Sequence, residues 1–218
     1  MKQILLGSVA VLCLTGFAQA QEPSYSWASR YLGVQAGYAH SGAHFSGDAT
    51  SFAGNYSENA FIGGIYAGQD WQTGRFVYGG TVDFDWVDGG DMAFGNVDPM
   101  TGGKGEAYSY DIDWVASARA RLGYAPTDRL LTYATGGVAV GHFEATAYSF
   151  PFAPASYSGV KFGGVIGAGL EYAFKNNWSI KGEYLHYAFD TIDFNLGGTN
   201  ARFRPSLDVV RVGVAYRF

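Results

Sequence analysis

From residue 31 onward, apolar residues alternate with polar or small ones in segments of ten to fifteen residues divided by Gly, Asn, Asp and Pro clusters. A period of two is the signature of a strand with chemically different faces, and it predicts strands near 31–40, 58–71, 76–87, 108–124, 130–146, 160–174, 178–190 and 207–218. The connections alternate in length. Short turns are expected at Gln72 to Arg75, Ala125 to Arg129 and Lys175 to Asn177, and long connections at 41–57, 88–107, 147–159 and 191–206. The pattern is that of an eight-stranded up-and-down meander with tight turns at one end and long loops at the other. Beyond the first twenty residues, no stretch approaches the roughly 18 uninterrupted apolar residues of a spanning helix.

The parity of the strands says which face meets what. In 207–218, Val210, Val212, Val214, Tyr216 and Phe218 share one face, while Val209, Arg211, Gly213, Ala215 and Arg217 share the other. A soluble barrel hides its apolar set inside. Here the arginines keep company with glycine and alanine, and the opposite face is unbroken aliphatic and aromatic, which is the arrangement of a barrel in lipid with a polar lumen. The seventh segment sets Trp178, Ile180 and Tyr184 opposite Ser179, Lys181 and Glu183. In the fourth, strict alternation places Ile112, Trp114, Ala116, Ala118, Ala120 and Leu122 outside and Asp113, Ser117, Arg119 and Arg121 inside. The fold expected is all-β, an eight-stranded antiparallel up-and-down transmembrane β-barrel.

Composition sharpens this reading. Charged residues are only 15% of the 218, against 17% aromatic residues and 32 glycines. The formal charge of −5 excludes the basic face a nucleic-acid binder needs to displace counterions. Residues 1–20, with Lys2, the apolar run Ile4 to Leu14 and the small-x-small Ala18-Gln19-Ala20, read as a signal peptide cleaved before Gln21. Residues 21–30, with Trp27, are expected to be a periplasmic lead-in, and 31–218 the barrel. The sole cysteine, Cys13, falls in the signal peptide, so no disulfide framework is available to the exported chain.

The ending Arg-Val-Gly-Val-Ala-Tyr-Arg-Phe (211–218) resembles the signal that bacterial outer-membrane barrels present to their assembly machinery, here carried by Gly213, Val214, Tyr216 and Phe218. With Tyr31-Leu-Gly-Val-Gln-Ala-Gly-Tyr38, Ala118-Arg-Ala-Arg-Leu-Gly-Tyr124, Gly167-Ala-Gly-Leu-Glu-Tyr172 and Lys181-Gly-Glu-Tyr-Leu185, the chain is similar to the small outer-membrane surface-antigen barrels of Gram-negative bacteria, relatives of the transmembrane domain of outer-membrane protein A. The resemblance implies a monomer whose partners are outer-membrane lipid, the assembly machinery and host or cell-surface ligands met by four long extracellular loops. It also implies haem as a ligand of some members.

Candidate chemistry follows from the faces. Asp83, Asp85, Arg119, Arg121, Glu171, Lys181, Glu183 and Arg211 are predicted to form a lumenal network with Arg217 nearby, and Glu171 should face Lys181 across the 175–177 turn. Such a network plugs a narrow interior or, alternatively, lines an ion path. Trp71, Trp86, Trp114 and Trp178 are expected as interfacial aromatics. Asp83, Asp85 and Asp88 fail the calcium-loop pattern because Val87 occupies a ligand position, and Asp88, Asp91 and Asp98 read as a solvated loop. No histidine among His40, His44, His142 and His186 lies two residues from a serine on an expected strand face, His44 and Ser46 falling in the expected 41–57 connection, so no catalytic residue, cofactor or metal site is assigned. Haem bound through His40, His44 or His142 is the third functional reading, behind surface interaction and a narrow channel.

Overall fold

The computed structural model of the protein describes residues 25–47, 54–88, 94–95, 106–149, 155–174, 177–190, 192–196 and 199–218. Eight long strands run antiparallel: β1 (Arg30–Gly47), β2 (Gly54–Thr73), β3 (Phe76–Asp88), β4 (Glu106–Thr127), β5 (Leu130–Ser149), β6 (Ala155–Ala173), β7 (Trp178–Phe189) and β8 (Thr199–Arg217). Each pairs with its neighbour in sequence, and β8 returns to pair with β1 from Tyr31↔Arg217 to Gly47↔Ala201, closing the barrel. Closure removes the sheet edges whose unpaired amides lipid could not satisfy. Arg30 and Phe218 seal the seam with reciprocal backbone hydrogen bonds of 3.2 and 3.0 Å.

At the turn end the chain reverses tightly. Gly74 and Asn177 take positive φ of 60° and 65°, the left-handed conformation these short connections require. At the other end the strands run well past the expected limits. Pairing between β1 and β2 continues to Phe45↔Gly54, and between β5 and β6 to Ala147↔Ala155. Short segments at Phe94–Gly95 and Ile192–Leu196 add to β4 and β8. The hydropathy pattern ends where the apolar band ends, but backbone hydrogen bonding continues as a ribbon beyond it. The side chains of His44, Phe45, Phe52, Tyr56, Asp91, Asp98, Tyr148, Phe150 and Phe203 lie outside the described residues.

Burial alternates along the strands, with the apolar set outward. Phe162 and Val138 leave 68% and 66% of their surface uncovered by protein, and Leu32, Ile65, Leu122, Ile166 and Val212 continue the band. At roughly 25 cal/mol per Å² such a surface is costly in water and stable in hydrocarbon. Aromatic contacts flank it. Trp71 stacks on Tyr78 and Trp178 meets Tyr216 edge-on at the turn end; Phe84 meets Trp86 and Trp114 at the other.

One strand departs from strict alternation. The β4–β5 register shifts between Ile112 and Trp114, so Asp113 is an extra residue, a β-bulge. Ile112 is therefore buried in the lumen and Asp113 is exposed on the outer face, the reverse of the simple parity. Trp114 stays outward.

The narrow lumen forces strands close to inward side chains. A Cβ on Gly37 would lie 2.5 Å from the Cβ of Arg211 and 2.7 Å from its Cα, whereas one on Gly182 meets nothing within 4 Å. Gly37→Leu should therefore abolish the compact, heat-modifiable band of the refolded barrel on gels, and Gly182→Ala should keep it.

Candidate functional site

The lumen is filled in layers. Nearest the turns, Trp27 of the lead-in folds into the barrel mouth and is fully buried. Its backbone N–H donates to Gln72 Oε1 at 2.7 Å, Arg217 Nη2 donates to its carbonyl at 3.0 Å, and the Arg217 guanidinium lies 4.9 Å from the indole centroid. Outside the spanning strands, burial raises the neighbouring Tyr25 phenol above its usual pKa while Arg217 pulls it back. Val77, Leu131 and Ala173 complete this apolar collar.

Above the collar sits a four-charge layer. Arg217 Nη1 donates to Glu171 at 2.6 Å and Nη2 to Asp70; Arg121 donates to Glu171 and to Asp70, both at 2.9 Å. Ser179 donates to Glu171 at 2.7 Å, and the Arg121 guanidinium stacks 4.6 Å from the Tyr133 centroid. Two carboxylates and two guanidiniums balance.

The next layer holds six charges. Arg119 bridges Asp83 at 2.8 Å and Glu183 at 3.0 Å. Arg211 binds Glu183 at 2.8 Å, Asp83 at 3.2 Å and also Asp85, whose other oxygen accepts from Gln35 at 2.8 Å. Lys181 lies 3.5 Å from Glu183 and 3.5 Å from the Tyr66 ring centroid. Glu171 and Lys181 are register partners across β6 and β7. The ion pairs they make belong to different layers, Glu171 with Arg121 and Arg217, Lys181 with Glu183.

Beyond the charges the lumen becomes apolar. Ile62, Ile112, Val115, Phe143, Val165, Leu185, Tyr187, Phe189, Leu207 and Val209 pack together inside the barrel, with Phe143 edge-on to Phe189 at 4.9 Å. The structure thus places all eight predicted lumenal residues inside and divides them between two layers. Asp70 and Trp27 belong to the same interior, and sequence reasoning missed both. Gly213 faces in, while Val214, Tyr216 and Phe218 of the C-terminal motif face out.

The outer face carries polar groups at the end away from the turns. His186 Nδ1 lies 2.7 Å from Asp208 Oδ1, which also accepts from the Tyr184 hydroxyl at 2.6 Å; His40 Nδ1 lies 2.8 Å from Asn59 Oδ1. On the strands across the sheet, His142 Nδ1 lies 2.6 Å from Asp113 Oδ2, and Ser158 Oγ lies 3.4 Å from His142 Nε2 and 3.3 Å from Glu144 Oε1. His40 on β1 and His142 on β5 belong to separate clusters, so these two histidines of the haem reading share no site; His40 instead stands beside Asp208, the partner of His186.

The model of the outer membrane protein beta-barrel domain matches residues 9–218. The 31 kDa outer-membrane immunogenic protein of Brucella melitensis is 33% identical over 248 residues, covering all of both chains. A 22 kDa outer membrane protein of Rhizobium leguminosarum is 28% identical, covering 90% of this chain and 81% of its own. Among solved structures, the attachment invasion locus protein Ail of Yersinia pestis with the heparin analogue sucrose octasulfate aligns with 15% identity and a TM-score of 0.44, covering 87% of this chain and 99% of Ail. OprG of Pseudomonas aeruginosa aligns with 12% identity and a TM-score of 0.47, covering 88% and 96%.

Removing one partner of a buried ion network leaves an uncompensated charge, at about 3–5 kcal/mol. Arg211→Met should lower unfolding stability in urea by about that amount, and Arg211→Met with Glu183→Gln, which restores neutrality, should recover part of the loss. A double variant as unstable as the summed singles would mean that neutrality does not govern the layer.

Proposed function

The chain belongs to the outer membrane protein beta-barrel domain family, and from that premise we propose that it acts as a structural and surface-interaction barrel whose lumen does not conduct. Such a protein resides in the bacterial outer membrane. In this reading residues 1–20 are the cleaved export signal, the turns and both ends of the mature chain face the periplasm, and four connections face outward. The C-terminal strand, with Val214, Tyr216 and Phe218 on its outer face, is the part offered to the assembly machinery. The name of the Brucella relative, an immunogenic protein, supports exposure of the outward connections. A rigid scaffold carrying variable loops is a suitable base for recognition, and no chemical step is assigned to it.

The observation that carries the closed-lumen reading is the apolar layer. Ions could trade partners along a charged file, but in the layer of Phe143, Leu185 and Val209 the Tyr187 hydroxyl is the one side-chain polar group among the described cluster, too little to replace hydration. The turn-end half is different: Asp70 Oδ1 and Arg121 Nε are buried without a hydrogen-bond partner among the described residues. That polar half is the observation favouring the alternative, a narrow channel.

Planar-bilayer recording separates the two. The refolded barrel, its insertion verified by heat modifiability, should give no discrete steps. Reproducible unitary conductance would overturn the plug and make the ten lumenal charges the functional site. Protease shaving of the outward connections should abolish binding to host-cell surfaces while leaving the barrel folded.

A further inference from the structure

The outer-face group on β4, β5 and β6 is built from three strands by one irregularity. Register pairs Glu144 with Ser158 and His142 with Val160, which sets His142, Glu144 and Ser158 side by side on the outward face. The bulge at Asp113 turns a carboxylate out of the lumen to join them. Bulges re-aim side chains at functional positions in this way. One ligand atom from each of Asp113, His142 and Glu144 can be chosen so that all lie within 4.8 Å of one another. Trp114 stacks on the imidazole with 6.3 Å between centroids, placing the group at the aromatic girdle, the level of the lipid headgroups.

Two chemistries suit an Asp–His–Ser chain, and the fourth residue decides between them. For Ser158 to act as a nucleophile, negative charge would have to develop beside its oxygen, but the Glu144 carboxylate lies 3.3 Å away and opposes that charge. The same carboxylate favours a cation. A proton on Nδ1 donated to Asp113 leaves the Nε2 lone pair facing the Ser158 hydroxyl, which in turn lies beside Glu144 Oε1. A histidine whose far nitrogen is held by a carboxylate is the usual support of a metal-binding imidazole.

We propose that His142 Nε2 and the Glu144 carboxylate bind a divalent cation of the zinc class on the outer face of the barrel, with Ser158 beside it and Asp113 as a positioning residue. One nitrogen and one carboxylate suit zinc or copper rather than magnesium or calcium, which take oxygen ligands. Partial exposure of His142 and Asp113, 25% and 44% of the side chain, leaves the site open to solvent ions. The His186 group offers a comparison, because its one carboxylate, Asp208, already holds both His186 and Tyr184.

The test is titration of the refolded protein in detergent with Zn²⁺ by calorimetry and with Cu²⁺ by tryptophan quenching, Trp114 being the indole next to the site. One equivalent should bind. His142→Ala and Glu144→Gln should remove that binding, Asp113→Asn should weaken it about 10- to 100-fold, and His186→Ala should leave it unchanged. In the unsubstituted protein, Zn²⁺ should protect His142 from diethyl pyrocarbonate while His40 and His186 react as before. Binding that survives His142→Ala, binding lost equally in His186→Ala, or absence of His142 protection would each overturn the proposal.

Discussion

Everything inside this barrel depends on buried charge being neutral where it stands. An eight-stranded lumen is only wide enough for side chains to fill, so the inward residues cannot keep bulk water around them. Among the described residues five acids (Asp70, Asp83, Asp85, Glu171, Glu183) and five bases (Arg119, Arg121, Lys181, Arg211, Arg217) are buried there. They balance within each layer, and short hydrogen bonds take up most of their donors and acceptors. Arginine dominates because its planar fork reaches two carboxylates at once, as Arg119 and Arg211 do, where a lysine would offer a point charge. The remainder of the lumen is apolar at both ends, so the charges are enclosed lengthwise as well as around.

The barrel was legible because lipid imposes a stricter rule than water does. With lipid on one face and a packed lumen on the other, parity alone sorted Arg211 from Val212 and Glu183 from Tyr184. Parity fails where the backbone slips. Nothing in the local sequence distinguishes the bulge, since Ile112 and Trp114 are both plausible outward residues; the register with Phe143 and His142 decides it. Trp27 was hidden for a different reason. It precedes the first strand and has no periodicity to declare a direction, and its position depends on Arg217, nearly the whole chain away. Asp70 stands near the end of β2, close to a turn, where an acid reads as solvated; only closure of the barrel brings Arg121 and Arg217 to it.

The outer face shows what the same irregularity accomplishes beyond packing. A single inserted residue exchanges an aliphatic side chain for a carboxylate across the wall: Ile112 joins Phe143 in the apolar layer, and Asp113 joins His142 outside. One bulge thus completes the apolar layer of the lumen and creates the outward polar group together. Deleting Asp113 would leave Ile112 in the lumen and remove the outward carboxylate, whereas deleting Ile112 would turn Asp113 in among Phe143, Val115 and Leu207, so both faces constrain the bulge.

The placement of two of the five lumenal cations on the last strand has a consequence for how the barrel is completed. Without β8 the interior would hold five carboxylates against three cations, Arg119, Arg121 and Lys181, and the excess would repel itself in a space that admits little water. Arrival of Arg211 and Arg217 brings each layer to neutrality in the same movement that joins β8 to β1. A β8 lacking Arg211 and Arg217 would therefore join the wall around uncancelled charge.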